Sequence, residues 1–507
     1  MPEPYPRTVV VLAAGEGKRM KSSLPKVLHP LLGRTLVGHV LNAAAPLDAV
    51  RTLVVVGHGA DQVRTHLAGI APGATAVHQA EQHGTGHAVR IAMEAAPEAT
   101  GTVVVLNGDV PLLRPETVGE LVAAHESEGA AATVLAAEVP DPAGLGRIVR
   151  DATGRLEQIV EQRDATPAQL GIREINAGIY AFDAIRLRDV LGKLSTDNDQ
   201  GEEYLTDVFE LLVSAGEPVG VHLAADHTET LGCNDRVELA ALRRLLRDRV
   251  NERWMRAGVS LLDPGTTWID VTVALDRDAV VDQNTQLRGG SVVGSGAVVG
   301  PDVTLVDTVV GPGATVLRSH AVGAEVGPGA SVGPYAYLRP DARLAERAKV
   351  GTFVEVKNTE IGAGSKVPHL TYVGDATIGE HSNIGAASVF VNYDGVQKHR
   401  TVIGSHARTG ADNMFVAPVE VGDGAYTAAG SVIIENVPAG AMGVARARQR
   451  NIEGWVLKRR AGTAAAQAAE RAQGASAVVP SASEGEEIHG TAESVGGTHR
   501  AGDTATE

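Results

Sequence analysis

Between Ser291 and Ile434 a small aliphatic residue followed by glycine returns at a spacing close to six, as in Val293-Gly294, Val299-Gly300, Val332-Gly333, Ile378-Gly379 and Ile403-Gly404. A helix needs apolar residues at three-and-four spacing, and a half-buried strand alternates every second residue. A period of six fits a short strand, a tight turn and another short strand. Coils of that kind stack into a parallel β-helix whose core is continuous along the axis. Branched Val and Ile suit the inner wall, and glycine is expected where the backbone turns. The N-terminal half keeps a different rhythm. Apolar runs at Thr8–Leu12, Leu53–Val56, Val103–Leu106 and Thr133–Ala137 alternate with helical patterns at Thr85–Ala95 and Pro115–His125. That alternation predicts a mostly parallel sheet with helices on both faces.

Between the halves, Leu239, Leu242, Leu246 and Val250 share one face of a helix predicted from Asp235 to Ala257. Arg243, Arg244, Arg247 and Arg253 form its solvated or bridging face. From Gly462 onward Ala, Gly, Ser, Thr and Glu dominate, with too few large apolar residues to offset the entropy of ordering, so disorder is expected. Trp455, just ahead of that stretch, is expected to pack on the last coil. The chain therefore reads as α/β plus all-β. The expected boundaries are an α/β domain over 1–234, a linker helix over 235–258, a β-helix of hexapeptide repeats over 259–455 and a mostly disordered tail over 456–507.

At 507 residues the chain is too long for a single core, and with 44% apolar but 3% aromatic residues its cores are built from Val, Ala, Leu and Ile. Its one cysteine, Cys233, cannot form an internal disulfide, which favours a reducing compartment. No run approaches the roughly 18 apolar residues of a membrane span. The first twenty residues lack the layout of a secretion signal. A net charge of −16 opposes nucleic-acid binding over the whole surface but leaves room for local phosphate pockets.

Ligands on such sheets sit beyond the carboxyl ends of the strands. The first loop there is AAGEGKRM (13–20), followed by LPK (24–26). Gly15 and Gly17 let backbone amides approach a phosphate, while Arg19 and Lys26 add fixed positive charge. Met20 stands where a dinucleotide fingerprint has its third glycine, and the GKS/T of a P-loop is missing, so hydride transfer is disfavoured. A tight turn with solvated cations is the competing reading of this loop taken alone.

LAAGEGKRM (12–20) with LPK, QAEQHGTGHA (79–88), NGDVPL (107–112), GRIV (146–149), VEQRDA (160–165) and EINAGIY (174–180) resemble the sugar-nucleotide pyrophosphorylases. Together with the hexapeptide run, the chain resembles, over roughly residues 8–455, the bifunctional enzymes that acetylate glucosamine 1-phosphate and then uridylate the product. The resemblance implies a Rossmann-like nucleotide-diphospho-sugar transferase domain, a left-handed β-helix and a cytoplasmic homotrimer with coenzyme A bound between subunits. The reaction it implies takes acetyl-CoA, glucosamine 1-phosphate and UTP through N-acetylglucosamine 1-phosphate to UDP-N-acetylglucosamine and pyrophosphate. That product supplies peptidoglycan and lipopolysaccharide precursors.

By the same resemblance Leu12, Ala13, Ala14 and Gly15 line the nucleotide, and Arg19 and Lys26 orient the UTP phosphates and stabilise the departing pyrophosphate. Gln79, Gly84 and Thr85 fall at uracil-reading positions, Asn107 and Gly108 beside them, and Gly146, Glu161 and Asn176 at sugar-binding positions. Asp109 and Asn234 would hold Mg²⁺, a hard ion suited to oxygen donors and retained water. Read alone, Asp109 after its strand is a turn cap, and Asn234 merely precedes the capping box of Asp235 and Glu238. Two positions depart from the family pattern: Lys18 replaces a threonine, and Asn107 replaces a tyrosine that contacts the nucleotide-sugar.

Polar motifs interrupt the coils at YLRP (337–340), VEVKN (354–358), VPHLTYVGDA (367–376) and FVNYDG (390–395), and stacking could gather them on one side. The resemblance gives the sugar phosphate to Arg339 and Lys357, one a bidentate fork and the other a compact charge. It makes His369 the base that takes a proton from the 2-amino group as that group attacks the thioester, a task suited to imidazole. Tyr372, Asn383, Asn392 and Tyr393 match sugar- and acetyl-contacting positions, and Ala386, Ala411, Ala429 and Arg446 match acetyl-CoA positions, Ala411 where serine is usual. Two other classes of function compete. One is a monofunctional sugar-1-phosphate nucleotidyltransferase with a structural or regulatory β-helix. The other is a non-catalytic scaffold, which should have lost Lys26, Asp109 or His369; all three are present.

Overall fold

Each apolar run of the N-terminal half is a strand, and the computed structural model, which describes residues 5–476, shows how the strands are ordered. In chain order they are β1 (Arg7–Ala13), β2 (Arg51–Val56), β3 (Ala74–His78), β4 (Thr102–Asn107), β5 (Ala132–Glu138), β6 (Arg147–Arg150), β7 (Leu156–Val160), β8 (Glu174–Asp183) and β9 (Val219–Leu223). The sheet runs β9-β5-β8-β4-β1-β2-β3, with β6 and β7 attached as a hairpin through β8. β1 to β4 pair in parallel, as do β9 and β5, but β8 is antiparallel to both β4 and β5. Along that path the sheet is mostly parallel, as the sequence pattern predicts, and β8 is the strand that runs against its neighbours.

Helices cover both faces, and the strands explain why. Successive residues of β1 point to opposite sides. Val9 and Val11 join Val37 and Val40 of α1 (Leu36–Ala44), Val63 of α2 (Ala60–Ile70) and Leu121 of α4 (Pro115–Glu128). Val10 faces the other way, with Val89 of α3 (Thr85–Glu94), Leu187 of α5 (Ala184–Leu191) and Phe209 of α6 (Asp207–Ser214).

The linker helix α7 spans Arg236–Arg256 and starts on the Asp235 carboxylate, which accepts the Val237 and Glu238 amides at 2.8 and 2.9 Å. Its predicted apolar face is buried, with Leu239, Leu242, Leu246 and Val250 packed into the same core as the first β-helix residues Leu261 and Ile269. Its charged face bridges: the Arg247 guanidinium lies 4.9 Å over the Trp268 ring.

From Ser260 the chain winds into coils of three short strands. Trp268 pairs with Gln286, Val280 with Val298 and Lys349 with Lys366, so each residue stacks on one about 17 or 18 positions later, three hexapeptides per turn. Each hexapeptide buries one aliphatic and one small residue, as in Ala279/Val281, Thr285/Leu287, Ser291/Val293 and Ala297/Val299, all fully inaccessible. The repeat glycines do two jobs. Gly300 and Gly333, with φ of 118° and 98°, turn the backbone as the sequence suggests. A Cβ on Gly294 would lie 2.8 Å from the backbone nitrogen of Pro312 in the next coil, so glycine there is needed for close approach between coils. Left-handed corners are carried by glycines such as Gly296 and Gly313, each with φ of 65°, and also by Asp278, Asn284 and Asp302, with φ of 64°, 56° and 56°. One excursion breaks the period: Ala376 pairs with Thr401, 25 positions on, because residues 392–400 leave the coil.

The described residues fall into two units that divide between Ala445 and Arg446. In the second, helices Trp455–Arg459 (α8) and Ala464–Ser476 (α9) form where the composition suggests disorder; the rest of the expected disordered tail, 477–507, lies outside the described residues. Within that unit the Arg460 guanidinium lies 5.3 Å over the Trp455 ring.

Candidate active sites

The loops that leave β1, β2 and β4 are fastened to one another at the carboxyl edge of the sheet. Gly108 N–H donates to the Leu12 carbonyl at 2.9 Å and His58 N–H to the Ala14 carbonyl at 3.2 Å, which fixes residues 12–15 as a ledge with Gly15 exposed and open above it. Gly17, with φ of 65°, lies against the Lys26 side chain so closely that a Cβ there would meet Lys26 Cβ at 2.7 Å. The Lys26 ammonium then reaches Asp109 Oδ2 at 2.5 Å and Asn234 Oδ1 at 3.4 Å. Arg19 is exposed on the short turn Lys18–Met20, where Lys18 pairs with Glu16 at 3.0 Å.

Among the described residues no group of three or more His, Cys, Asp or Glu is placed to hold a metal. The Asp109–Asn234 pair passes a different test: both oxygens point at one positive charge, the Lys26 ammonium. One carboxylate and one amide oxygen suit a hard ion that keeps water and takes phosphate oxygens for its other ligands. Asn234 is held by its own N–H donating to Glu238 Oε2 at 2.6 Å, and Cys233 N–H donates to the Asp109 carbonyl at 3.0 Å. Burial, with the Asp109 charge next in importance, pushes the Cys233 thiol up to about 11, so that thiol is inert at neutral pH.

Gln79 is buried, and its amide donates to the Gly84 carbonyl at 3.3 Å and contacts His87 Nδ1 at 3.1 Å. Thr85 Oγ1 accepts the Leu205 N–H at 3.1 Å, tying the start of α3 to the segment before α6. Further along the sheet edge Gly146, Glu161 and Asn176 converge: a Cβ on Gly146 would sit 3.3 Å from Glu161 Oε1 and 3.5 Å from Asn176 Cβ. Burial, then the charges of Asp207 and Asp164, raise the Glu161 carboxyl, with Thr206 and Arg147 opposing. Asp207 itself is pushed up to about 6, by burial first and then by Glu210 and Asp164. The Asn107 amide packs against Gly178, whose φ of 71° favours glycine.

In the β-helix a cavity of about 620 Å³ opens between Arg339, Lys357, Asp375 and the excursion residues Lys398, His399 and Arg400. The excursion is held down by Arg400, which donates to the Ala376 carbonyl at 2.7 Å, and folded on itself by Asp394, which accepts the Val396 and Gln397 amides at 2.7 Å. Asp375 is the hub. It accepts from Asn358 Nδ2 at 2.6 Å, Asn392 Nδ2 at 2.5 Å and Lys357 Nζ at 3.5 Å. Burial works against its charge, but those donors outweigh it and hold the carboxyl below its usual range. Arg339 Nη1 donates to Glu355 Oε1 at 2.9 Å. Four cationic groups and His399 around one hollow suit a phosphate ester. Sequence reasoning misses Asp375, Asn358 and Lys398, although Asp375 lies inside the VGDA part of the motif at 367–376.

The remaining β-helix candidates are spread along neighbouring corners. His369 ends the strand Lys366–His369, exposed at a corner where Leu370 adopts φ of 52°, and it is not among the residues lining the 620 Å³ cavity. Tyr372 follows at the start of the next face, its hydroxyl 3.4 Å from Asn392 Nδ2. Asn383 takes part in coil-to-coil bridges with Lys366 and Arg408. Tyr393 is 56% exposed, its hydroxyl donating to the Gly395 carbonyl at 2.7 Å. Ala386, Ala411 and Ala429 stack at one corner of successive coils: Asp412 N–H donates to the Ala386 carbonyl at 2.7 Å and Gly430 N–H to the Ala411 carbonyl at 2.9 Å. Arg446 begins the second unit.

Residues 9–174 match a MobA-like NTP transferase domain. The chain is 61% identical over 467 residues to the bifunctional protein GlmU of Streptomyces avermitilis, covering 92% of this chain and 97% of that one. It is 60% identical over 472 residues to the GlmU of Thermobifida fusca, with 92% and 98% covered. With the GlmU of Corynebacterium aurimucosum it shares 55% over 472 residues, with 92% and 97% covered.

Proposed function

Because the chain belongs to the GlmU family of bifunctional enzymes, we propose that its two constellations divide one synthesis between them. It is an acetyltransferase and a uridylyltransferase in one polypeptide, acting on a sugar phosphate, acetyl-CoA and UTP. A monofunctional nucleotidyltransferase is not favoured, since relatives that carry the bifunctional name align with 92% of the chain, β-helix included.

In the acetyl transfer, Arg339, Lys357, Lys398 and Arg400 hold the phosphate of glucosamine 1-phosphate in the 620 Å³ cavity. Tyr372, Asn392 and Tyr393 turn the sugar so that its 2-amino group leaves the cavity. His369 accepts the proton from that nitrogen as it attacks the thioester, and CoA leaves as the thiol. Its place at the rim of a corner suits a substrate held at the edge of the coil, and a homotrimer would supply the facing wall, with acetyl-CoA along the Ala386–Ala411–Ala429 corner.

In the uridylyl transfer, Gln79, Gly84 and Thr85 read the uracil edge, and Gly146, Glu161 and Asn176 seat the N-acetylglucosamine ring. Arg19 and Lys26 bind the β- and γ-phosphates and offset the charge that builds on pyrophosphate as it departs. Asp109 and Asn234 would hold Mg²⁺, which when bound offsets triphosphate charge. The single observation behind this half is the convergence of Asp109, Asn234 and Lys26 beside the fixed ledge of residues 12–15. No helix among the described residues is long and apolar enough to cross a membrane.

Two variants test the division. His369→Ala should abolish CoA release while pyrophosphate release from N-acetylglucosamine 1-phosphate stays near normal, and Asp109→Ala should do the reverse. Loss of both activities in either folded variant would end the case for independent sites.

A further inference from the structure

At the opposite end of the sheet from the nucleotide loops lies a cavity of about 1580 Å³ that neither half-reaction uses. Arg51 and Ala74, the first residues of β2 and β3, line one wall, whereas the nucleotide loops follow the last residues of β1, β2 and β4. The other walls come from α1, α7 and the first coils of the β-helix. The space is built, not a loose gap between bodies. The hairpin joining Pro30–Leu31 to Arg34–Thr35 is clamped from two sides, Val271 N–H donating to the Leu32 carbonyl at 3.0 Å and Arg243 Nη2 to the Pro30 carbonyl at 3.3 Å. Gly33 sits so near the first coil that a Cβ would meet Asp270 Cβ at 2.9 Å.

The charge around this space is unbalanced. Arg34, Arg51, Arg243, Arg244 and Arg288 line it against Asp48 and Asp270. Arg51 is satisfied by Glu98 at 2.5 Å, and the Asp270 carboxylate accepts the Gly289 N–H at 2.9 Å. Among the described residues Arg34, Arg243, Arg244 and Arg288 have no ion-pair partner within 4.0 Å. Arg34 shows the consequence: burial, then the nearby Arg253 charge, pull its pKa down. Arg34 and Arg243 are half-buried and Arg244 and Arg288 exposed, and four guanidinium groups facing one hollow without an ion-pair partner favour an anion, their planar forks suiting phosphate oxygens. Trp268 lies in the same wall, with Arg247 stacked 4.9 Å from its ring centre, and offers a surface for the organic part of a ligand.

We propose that this cavity is a second anion site, taking a phosphate-bearing small molecule through Arg34, Arg243, Arg244 and Arg288 with its organic body against Trp268. The volume exceeds the roughly 300–1,000 Å³ of ordinary small-molecule pockets, so a nucleotide-sized ligand fits with room to spare. The shared chemistry is a phosphoryl group, and inorganic triphosphate and ATP separate a bare anion from one carrying a ring.

The chain has three tryptophans, so a Trp254→Phe/Trp455→Phe background leaves Trp268 as the single emitter. Titration of the full chain in that background should give saturable changes in Trp268 emission with both probes, ATP binding more tightly than triphosphate. Arg34→Ala/Arg244→Ala should weaken both by about tenfold or more per arginine, the factor one charge-assisted hydrogen bond carries. Its melting temperature and both basal activities should match the parent. Should that pair fail to fold, Arg34→Lys/Arg244→Lys, which keeps charge and loses the fork, should still bind several-fold more weakly. No saturable change in emission, or unchanged affinity in a folded arginine variant, would overturn the proposal.

Discussion

Replacing Gly84 with alanine puts the proposed uracil-reading segment to its hardest test, because this residue's backbone is one that side chains cannot share. Gly84 has φ of 109° and ψ of 179°, a region open in practice to glycine alone. The new Cβ would collide with the Glu203 carbonyl oxygen and lie 3.0 Å from the Glu203 nitrogen. Neither atom can yield cheaply. That carbonyl accepts the Gly86 N–H at 2.8 Å, and the Glu203 N–H donates to the His83 carbonyl at 2.8 Å. Backbone strain of about 2 kcal/mol and one sacrificed hydrogen bond of about 1 kcal/mol give about 3 kcal/mol in all. The relief is movement of residues 83–86, which carry the carbonyl that orients Gln79 and the Thr85 hydroxyl that anchors Leu205. If that cost falls on the transition state, kcat/KM for UTP drops about 100-fold. Pyrophosphate release from UTP and N-acetylglucosamine 1-phosphate measures it, with CoA release as the internal control, which should not change. Uridylyl transfer within about threefold of wild type in a folded Gly84→Ala protein would refute the reasoning.

Three further outcomes follow from the same geometry. Gly69 lies in the exposed face of α2, and a Cβ there would have no heavy atom within 4 Å, so Gly69→Ala should raise unfolding free energy by about 0.5–1 kcal/mol in denaturant titrations and leave both activities alone. Asp207 has its pKa raised from 3.8 to about 6, so the fold favours its protonated form; that contribution is complete below about pH 4 and lost as pH climbs through about 6. Asp207→Asn should therefore match wild type near pH 4 and gain about 1 kcal/mol on it by pH 7.5, after allowance for partial solvent access; a gain that did not grow with pH would count against the burial argument. Asp375→Ala removes the acceptor of Asn358, Asn392 and Lys357, leaving a buried amide unsatisfied. It should cost about 2 kcal/mol of stability and impair CoA release while sparing pyrophosphate release.

The strands of the N-terminal sheet are legible in the sequence because buried Val and Leu runs bounded by turns leave few other readings. The direction of β8 is not: a strand buried on both faces carries no mark of which way it runs. The coil period is plain in the Val-Gly and Ile-Gly steps, yet at Gly294 the reason for glycine lies in the neighbouring coil, at Pro312, 18 residues away in sequence. Helix α9 escapes a reading by composition because alanine's intrinsic helix preference counts for more there than the lack of large apolar residues. Asp375 is hidden because an aspartate with φ of 51° at a corner looks like turn chemistry; only stacking brings Lys357, Asn358 and Asn392 to it. A cavity walled by α1, α7 and the first coils has no local signature at all.

The two candidate sites share a device although they share no residue. Lys26 and Lys357 have side chains only 15% and 20% exposed, and the ammonium of each is held in place by an aspartate, Asp109 in one case and Asp375 in the other. A carboxylate carries one negative charge and a phosphate nearly two, so an arriving phosphate competes on favourable terms for a lysine already oriented. The fates of the two carboxylates then differ. Asp375 keeps two amide donors, Asn358 and Asn392, and remains satisfied when Lys357 turns to its ligand. Among the described residues Asp109 has no such amides as side-chain partners, and releasing Lys26 leaves its oxygen beside that of Asn234 with nothing positive between them. A carboxylate in that position calls for a cation at the moment the triphosphate arrives, and this asymmetry is the physical reason to expect metal dependence in uridylyl transfer and none in acetyl transfer.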